Sequence, residues 1–368
     1  MCKDNNRILV LIPGKNARGG ITTYYQTLMP MFTLPVDFLE RGARNWPVRG
    51  GFLKELIRIL RDYYRFNKSL STGKYLIVVT NTSFSSFAII RDGIYLLIAR
   101  MYKLKTITFF RGWDYKFSEK IERKYLGVFK YVYFRSEALI DLAQKNADIL
   151  KKWGYRKEIY LETVTVDKDL ISEVNFTKIA EKYNSDSLTI LFLARLEKAK
   201  GIYEAINAFI LLQKSYPKLK MTIAGDGIET NNIIRYLSDL RIDNITMTGF
   251  TEGEQISELF KVSSVYLLPS YGEGMPTSLI EAMAFGLPVV TRPVGGISDF
   301  FVNEKNGYIT ESKDPAILAG LIEKLILNRP LAKKMAINNY VYAQERFLSD
   351  IVVKRVENIF EAVLSFKL

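Results

Sequence analysis

The chain has 368 residues, of which 48% are hydrophobic and 25% charged, a composition that excludes a disordered, collagen-like or polytopic membrane protein. One cysteine, Cys2, and no histidine exclude a disulfide framework, Ser-His-Asp and Cys-His catalysis, and every His-ligated metal site. The formal charge of +13 is uneven, with +14 in residues 1–170 and −1 in residues 171–368. This asymmetry indicates an anionic partner for the first half of the chain.

Neither a signal peptide nor a transmembrane helix is predicted. The first apolar run stops at Pro13-Gly14, which makes it too short for a signal peptide core. The apolar stretch 87–99 is interrupted by Arg91 and Asp92, so we do not expect it to cross a bilayer. The single cysteine favours a reducing, cytoplasmic location. We expect the protein to be soluble there, or peripheral on the inner face of the plasma membrane.

A basic amphipathic helix is predicted over residues 52–68. Apolar side chains recur at helical spacing, and the basic side chains share a second face. The apolar set is Phe52, Leu53, Leu56, Ile57, Leu60 and Tyr64, and the basic set is Lys54, Arg58, Arg61, Arg65 and Lys68. Two interpretations remain open. The helix lies on an anionic membrane surface, or it packs on a sheet by its apolar stripe and leaves the basic face in solvent.

Strands and helices alternate in both halves of the chain, which predicts an α/β fold of two Rossmann-like, doubly wound domains. Predicted strands are 7–13, 75–79, 106–110, 131–134 and 159–166 in the first half, and 188–194, 220–225, 244–249, 264–269 and 287–292 in the second. The expected domains are 1–170 and 171–345, with the boundary in the polar stretch 167–186. The chain from Ala332 onward is predicted to be helical throughout, and 346–368 forms a terminal helix.

Ligands of open parallel sheets bind beyond the carboxyl ends of the strands, so the loop that begins at Ser270 is a candidate site. Gly274 lets a ligand approach the backbone. The amides of residues 275–278 start a helix whose N-terminus attracts anions. Glu281, further along this helix, is placed to accept hydrogen bonds from a ribose diol. A structural Glu that caps the loop is the alternative.

Arg195 and Lys200 follow a neighbouring strand. Arg offers a bidentate fork and Lys a mobile point charge, and both suit a diphosphate. In isolation these residues would indicate a solvated basic turn. Because the two loops open on the same edge of one sheet, we interpret them together as a nucleoside diphosphate site. Gly19-Gly20, after the first strand, match no P-loop or dinucleotide motif; Gly20 presents its amide to a phosphate or belongs to an ordinary turn.

Five segments, in this order, resemble the retaining GT-B-fold glycosyltransferases of family 4, the glycosyl transferases group 1. They are FLARLEKAKGIYEAI, MTIAGDGIE, TGFTEGEQI, LLPSYGEGMPTSLIEAMAFGLPVV and GGISDFF. The resemblance is dense over 188–310 and looser before. It implies two domains that face a cleft, with the acceptor on the first domain and a UDP- or GDP-sugar donor on the second. It also implies no metal or other cofactor, and terminal helices that return to the first domain.

The resemblance implies roles by position. Arg195 and Lys200 hold the donor diphosphate, Glu281 binds the ribose, Glu273 contacts the transferred sugar, and Gly20 closes over the phosphates. The residues that shape the sugar pocket through their backbone are Gly274, Met275, Pro276 and Thr277. The implied reaction is a front-face displacement with retention, in which the leaving phosphate oxygen helps deprotonate the acceptor hydroxyl. Such chemistry needs positioning and charge stabilisation more than a nucleophile.

The chain departs from the family in the loop 110–114, where many relatives carry a His-Gly or similar pair. Arg111 stands there and cannot act as a base at neutral pH, although it could contact the transferred sugar or an acidic acceptor. Asp114 is the nearest candidate for a polar contact with the acceptor.

The sequence thus predicts a retaining, metal-independent hexosyltransferase of cell-surface polysaccharide or glycolipid biosynthesis. Its expected acceptor is a glycan or an anionic lipid-linked molecule, at a membrane contacted through helix 52–68. The alternatives are a non-catalytic nucleotide-sugar-binding protein of the same fold, and a sugar phosphorylase or phosphosugar transferase. A nucleic-acid partner is not expected, because the sequence has no recognition-helix, RRM or zinc motif.

Overall fold

A computed structural model describes residues 7–42, 51–184 and 188–365, except for the side chain of Phe52. The chain forms two compact units. Unit 1 comprises Met1–Val164 together with Ser349–Leu368, and unit 2 is Thr165–Leu348. None of the helices in the described ranges is long and apolar enough to cross a membrane.

Unit 1 contains a parallel six-stranded sheet in the order β2-β1-β3-β4-β5-β6. Its strands are β1 Arg7–Pro13, β2 Val36–Arg41, β3 Tyr75–Phe84, β4 Lys105–Trp113, β5 Ala138–Asp141 and β6 Ile159–Leu161. The connecting helices are α1 Gly20–Leu28, α2 Phe52–Leu70, α3 Ser86–Met101, α4 Tyr115–Lys120, α5 Leu126–Tyr133 and α6 Gln144–Lys152, with a 3-10 turn Met29–Met31 and a π-helical segment Ile121–Tyr125. Since parallel crossovers are right-handed, α2, α3 and α5 lie on one face of the sheet and α1 lies on the other.

Unit 2 repeats this plan with the strand order β12-β11-β10-β7-β8-β9, again all parallel. Its strands are β7 Thr189–Leu193, β8 Lys220–Ala224, β9 Ile245–Gly249, β10 Val265–Leu268, β11 Val289–Thr291 and β12 Gly307–Ile309. Its helices are α7 Phe176–Lys182, α8 Ile202–Gln213, α9 Thr230–Asp239, α10 Glu254–Val262, α11 Thr277–Ala284, α12 Ile297–Phe300, α13 Pro315–Leu327 and α14 Arg329–Arg346, with 3-10 turns at Asp169–Ile171 and Lys198–Lys200. The α/β class and the two parallel sheets predicted from the sequence are confirmed.

The strand predicted over 131–134 is wrong, because these residues lie in α5 and the turn after it. Phe129 and Tyr133 are four residues apart and both enter the core, where their ring centroids are 4.8 Å apart. Tyr131 faces solvent. Core packing at helical spacing therefore overrides the strand propensity of this aromatic run. The strand that follows α5 is β5, Ala138–Asp141, and all four of its residues are buried.

Other predicted bounds also change. The strand predicted over 159–166 ends at Leu161, and the edge strands β2 and β12 were not predicted. The continuous helix expected from Ala332 is interrupted, because α14 ends at Arg346 and the last helix, α15, is Ser349–Ser365. Between them the carbonyl of Phe347 accepts a hydrogen bond from the amide of Val166 at 2.8 Å, and Leu348 forms an isolated β-bridge with Val166. This pairing holds the backbone in a non-helical conformation.

Helix α15 is anchored in unit 1 by buried carboxylates. Glu357 accepts hydrogen bonds from the amides of Thr33 at 2.6 Å and Leu34 at 2.7 Å. Arg355 forms a two-point ion pair with Glu162, at 2.6 and 3.0 Å, and Glu162 is buried. Residues far apart in the sequence therefore complete the same unit.

Helix α2 does not pack by its apolar stripe. Leu53, Leu56, Ile57, Leu60 and Tyr64, called the α2 stripe below, are between 41% and 67% exposed. The side of α2 that turns inward carries Asp62, Phe66 and Leu70 instead. The interpretation of a helix that packs on the sheet by its apolar stripe is therefore wrong.

Candidate functional site

Backbone contacts at glycines join two loops at the carboxyl edge of the unit 2 sheet. Gly201 has φ +73°, and a Cβ on it would lie 2.3 Å from the carbonyl oxygen of Pro269, so a larger residue would force the strand end to move. The amide of Tyr271 donates to the carbonyl of Ala199 at 2.8 Å. The loop after β7 and the loop after β10 are therefore fixed against each other.

A second glycine, Gly295, contacts the loop that carries Glu273. Gly295 has φ +56°, and a Cβ there would lie 2.1 Å from the carbonyl oxygen of Glu273 and 2.4 Å from that of Gly274. The amide of Gly296 donates to the carbonyl of Gly274 at 2.6 Å. The backbone of residues 273–274 is thus clamped between two neighbouring loops.

Lys200 and Glu273, predicted from separate loops, form an ion pair. Lys200 Nζ lies 2.7 Å from Glu273 Oε1, and the two side chains are only 14% and 9% exposed. Because the pair is largely removed from water, each charge depends on the other for compensation. An anion that entered here would find a cation already in position.

Arg195 is oriented differently from Lys200. Its side chain is exposed, and Nη1 lies 2.8 Å from Oε1 of Glu197. An exposed ion pair of this kind contributes little to stability. Arg195 can therefore leave Glu197 for another anion at little cost in free energy. Arg195 is therefore held near the site by a weak contact.

Glu281 is buried in α11, and its carboxyl has no hydrogen bond or ion pair to any described residue. Burial raises the pKa of its carboxyl to about 7. Buried polar groups are nearly always hydrogen-bonded in folded proteins. A buried carboxyl left without a partner is therefore a feature that a ligand with hydroxyl donors would satisfy.

Helix α11 begins at Thr277, with Pro276 at its N-cap. Met275 and Pro276 are buried, while Gly274 and Thr277 are half-buried. The hydroxyl of Tyr266 is hydrogen-bonded to Ser278 Oγ at 2.6 Å and to the carbonyl of Leu193 at 3.0 Å. This contact ties the start of α11 to the end of β7. The first amides of α11, which lack intrahelical acceptors, lie beside the ion pair and can receive an anion.

Arg111, at the end of β4 in unit 1, is held between aromatic rings. Its guanidinium carbon lies 3.5 Å from the ring centroid of Phe109 and 3.8 Å from that of Tyr24, and Nε donates to Asn81 Oδ1 at 2.9 Å. Its Nη2 is buried, and no described residue accepts a hydrogen bond from it. The cation is therefore fixed in orientation with one donor unused.

The hydroxyl of Tyr24 is a second buried polar group without a hydrogen-bond partner among the described residues. Burial raises the pKa of Tyr24, and the positive charge of Arg111 acts in the opposite direction. The phenol thus remains protonated at neutral pH. Arg111 Nη2 and the Tyr24 hydroxyl are thus two buried donors on adjacent side chains, and neither has an acceptor among the described residues.

The other two residues predicted in unit 1 have visible backbone roles. Asp114 is the N-cap of α4, where its Oδ1 accepts from the amide of Phe117 at 3.1 Å. Gly20 is the exposed first residue of α1, after Gly19 with φ 146°. Within the described ranges, no group of three or more His, Cys, Asp or Glu residues could hold a metal ion.

The sequence analysis did not identify some residues of these sites. Tyr24 and Asn81 lie in strands or helices with no motif around them, so no local pattern could single them out. The glycines of the segment 225–227 also support the loop of Arg195. A Cβ on Gly225 would lie 2.0 Å from the carbonyl oxygen of Ala194, and one on Gly227 would lie 2.4 Å from that of Leu196.

Comparison with known families and structures agrees with this architecture. Residues 175–342 match the family model described as glycosyl transferases group 1. A capsular polysaccharide biosynthesis glycosyltransferase, CapM of Staphylococcus aureus, is 29% identical over 61% of this chain and 58% of its own length. The chain thus spans less than two thirds of that relative.

Solved structures resemble nearly the whole chain. Sucrose-phosphate synthase from Thermosynechococcus elongatus superimposes with a TM-score of 0.76 at 16% identity, over 98% of this chain and 99% of its own. HepE of Anabaena, in complex with UDP and glucose, gives a TM-score of 0.71 at 17% identity, over 98% and 99%. At these identities the likeness establishes the fold, which is GT-B.

Proposed function

Because residues 175–342 are a glycosyl transferases group 1 domain, we propose that the chain moves a sugar from a nucleotide-diphosphate sugar to a hydroxyl of a glycan or lipid-linked acceptor. The observation that carries the proposal is the Lys200–Glu273 ion pair, which lies in the loops that precede α8 and α11. Helix α11 also holds Glu281, whose carboxyl has no partner among the described residues. This arrangement provides a cation, helix amides and a carboxyl acceptor at one sheet edge, which are the groups that a nucleoside diphosphate needs.

In the proposed donor complex, Lys200 exchanges Glu273 for a diphosphate oxygen. Arg195, released from its exposed pair with Glu197, binds the same diphosphate through its fork. Glu281 accepts hydrogen bonds from the ribose diol. Glu273, freed from Lys200, then faces the hydroxyls of the transferred sugar. The backbone of residues 274–277 shapes the pocket around that sugar, and Gly20 closes over the phosphates.

The proposed reaction is metal-independent and retains the configuration of the sugar. The bond between the anomeric carbon and the phosphate oxygen breaks, and the acceptor hydroxyl forms its new bond on the same face. The proton of that hydroxyl passes to the departing phosphate oxygen. Lys200, Arg195 and the amides of α11 stabilise the negative charge that develops on the nucleotide.

The acceptor is proposed to carry an acidic group near its reacting hydroxyl. Arg111 Nη2 and the Tyr24 hydroxyl, both without hydrogen-bond partners among the described residues, support this, because each is a donor that can pair with an oxyanion. Asp114 is proposed as a further polar contact. The name of CapM refers to capsular polysaccharide biosynthesis, which supports a role in cell-surface polysaccharide or glycolipid synthesis at the inner face of the plasma membrane. The bound UDP of HepE supports a UDP-sugar, and a GDP-sugar is the other candidate.

The test is release of nucleoside diphosphate from a panel of UDP-, GDP- and ADP-sugars. We expect release from one base class, and Glu281→Ala should abolish it. Lys198→Ala, which changes an exposed lysine two residues before Lys200, is the control and should behave like the parent. Donor binding without release would instead indicate a non-catalytic binding protein. Turnover only with added inorganic phosphate would indicate a phosphorylase.

A further inference from the structure

Helix α3 exposes a second apolar stripe, next to the α2 stripe. After Ser86, every exposed residue of α3 is apolar, and the positions follow steps of three, four, three and four. The α3 stripe consists of Phe87, Ile90, Ile94, Leu97 and Met101, which are between 36% and 81% exposed. A helix of a soluble α/β unit normally turns charged or polar residues outward, so this face lacks its usual solvent-facing residues.

The charges that interrupt this stretch of sequence are turned inward. Arg91 Nε and Nη2 bind the two carboxylate oxygens of Asp92 at 2.8 and 3.0 Å. Asp92 is fully buried and also contacts Arg41 Nη2 at 3.2 Å. Arg91 and Asp92 are therefore paired with each other, and the outer side of α3 has no exposed charged residue.

The α2 and α3 stripes belong to neighbouring helices. The ring of Tyr95 from α3 lies 4.7 Å from that of Tyr63 and 5.0 Å from that of Phe66, both from α2. The hydroxyl of Tyr63 donates to the carbonyl of Arg91 at 3.1 Å. Because the two helices pack side by side on one face of the sheet, the two stripes are carried by adjacent helices of that face.

Cations border this surface along α2. Lys54, Arg61 and Lys68 are exposed and lie roughly 60° to 100° around the helix from the centre of the α2 stripe, by the helical repeat. An apolar face flanked by Lys and Arg is the pattern of helices that lie in the headgroup region of an anionic membrane. A second copy of the chain would place these cations against one another, which is unfavourable.

We propose that α2 and α3 together form the membrane-docking surface of unit 1, with both stripes inserted between the headgroups of one anionic lipid monolayer and the α2 cations on the lipid phosphates. The inference rests on the proposed function, because docking on the membrane gives the protein access to a lipid-linked acceptor. It extends the contact from a single helix to a two-helix surface. It also explains why α2 and α3 leave whole apolar stripes exposed to solvent, where a soluble protein would expose only scattered apolar side chains.

The test is co-sedimentation of the full chain with phosphatidylcholine vesicles, with and without phosphatidylglycerol. We expect binding that requires phosphatidylglycerol and weakens with salt. Ile90→Ser and Met101→Ser, on α3, should each lower the vesicle partition coefficient about tenfold, as should Leu60→Ser on α2. Leu327→Ser is the matched control, because this exposed apolar residue lies at the end of α13 in unit 2.

Normal vesicle binding by the two α3 variants would overturn the two-helix surface. Equal binding to both kinds of vesicle, or none to either, would overturn the choice of an anionic monolayer. A dimer of the parent chain that Met101→Ser converts to monomers, without vesicle binding, would identify the face as a contact between copies and also contradict the proposal. Nucleotide release in the absence of vesicles reports separately on the proposed function, and the α3 variants should leave it unchanged.

Discussion

The carboxyl edges of the two sheets are held together by different kinds of contact. In unit 2 the edge is made of backbone, since Gly201 and Gly295 press directly on carbonyl groups of other loops. In unit 1 the edge is made of large side chains, with Arg111 held between Phe109 and Tyr24 and tied to Asn81. A backbone-built pocket keeps its shape when surface residues change, whereas a side-chain-built pocket changes with a single substitution. This difference fits the proposed division of roles, in which the donor binds unit 2 and the acceptor binds unit 1.

The largest effect should come from the buried charge in unit 2. We expect Lys200→Ala to lower the rate of donor cleavage about a thousandfold, because the departing diphosphate loses its positioned cation and Glu273 keeps a buried, uncompensated charge. Steady-state nucleotide release measures this, with the thermal transition as a check of folding. A rate equal to that of Lys198→Ala would remove Lys200 from the reaction.

The contrast between the edges can be tested next with one glycine substitution in each unit. Gly201→Ala should lower the free energy of unfolding by about 3 kcal/mol, because its φ is left-handed and the Cβ meets the Pro269 carbonyl. Gly112→Ala, at the end of β4, has no atom within 4 Å of its Cβ and should change stability by less than about 0.5 kcal/mol. Denaturant titration of both variants is the measurement. Equal effects would contradict the distinction between backbone and side-chain edges.

A substitution in the side-chain edge should separate transfer from donor cleavage. We expect Arg111→Ala to lower transfer to an acidic acceptor on the order of a hundredfold, through loss of a charge-assisted contact, while hydrolysis of the donor by water is retained. Parallel assays of glycoside product and nucleotide release give the two rates. Transfer at the parent rate would remove Arg111 from the acceptor site.

The smallest expected effect is a pH dependence of donor binding. With a pKa of about 7, Glu281 is mostly neutral at pH 6 and ionised at pH 8, and only the ionised carboxyl accepts from both ribose hydroxyls. Affinity for the nucleotide sugar should therefore rise about tenfold between these pH values. Calorimetric titration measures the affinity, and Glu281→Gln should abolish the dependence. A parent affinity independent of pH would exclude Glu281 from ribose binding.

The same pKa shift has a consequence for the unliganded chain. Because the folded-state pKa of Glu281 lies above its ordinary value of 4.5, the folded state holds the proton more tightly than the unfolded state. The free energy of unfolding from this group therefore falls as the pH rises from about 4.5 to about 7. Glu281→Gln should remove that part of the pH profile, which denaturant titrations across this range would detect.

Unit 2 was more predictable from the sequence than unit 1, for a physical reason. Its strands β7, β10 and β11 are formed mostly by contiguous apolar residues, and its loops need glycines and a few charges at fixed spacing, which the local sequence displays. In unit 1 the aromatic run 131–134 fits both helix and strand, and only long-range packing decides between them. Tyr24, Asn81 and Arg111 come from three separate elements, so their contact is a property of the topology. For the same reason the inward pairing of Arg91 and Asp92 could not be seen in the sequence.

The position of α15 has a consequence for the order of events during synthesis. Unit 2 is one continuous segment, Thr165–Leu348, whereas unit 1 is completed by residues that follow it. On the ribosome, unit 2 has all its residues before unit 1 receives Arg355 and Glu357. Until then the buried carboxylate of Glu162 lacks its cation, and the amides of Thr33 and Leu34 lack their acceptor. Unit 2 can therefore complete its fold before unit 1, which is the reverse of the usual order in which the N-terminal domain folds first. The unit with the exposed apolar stripes is the last to receive all its residues.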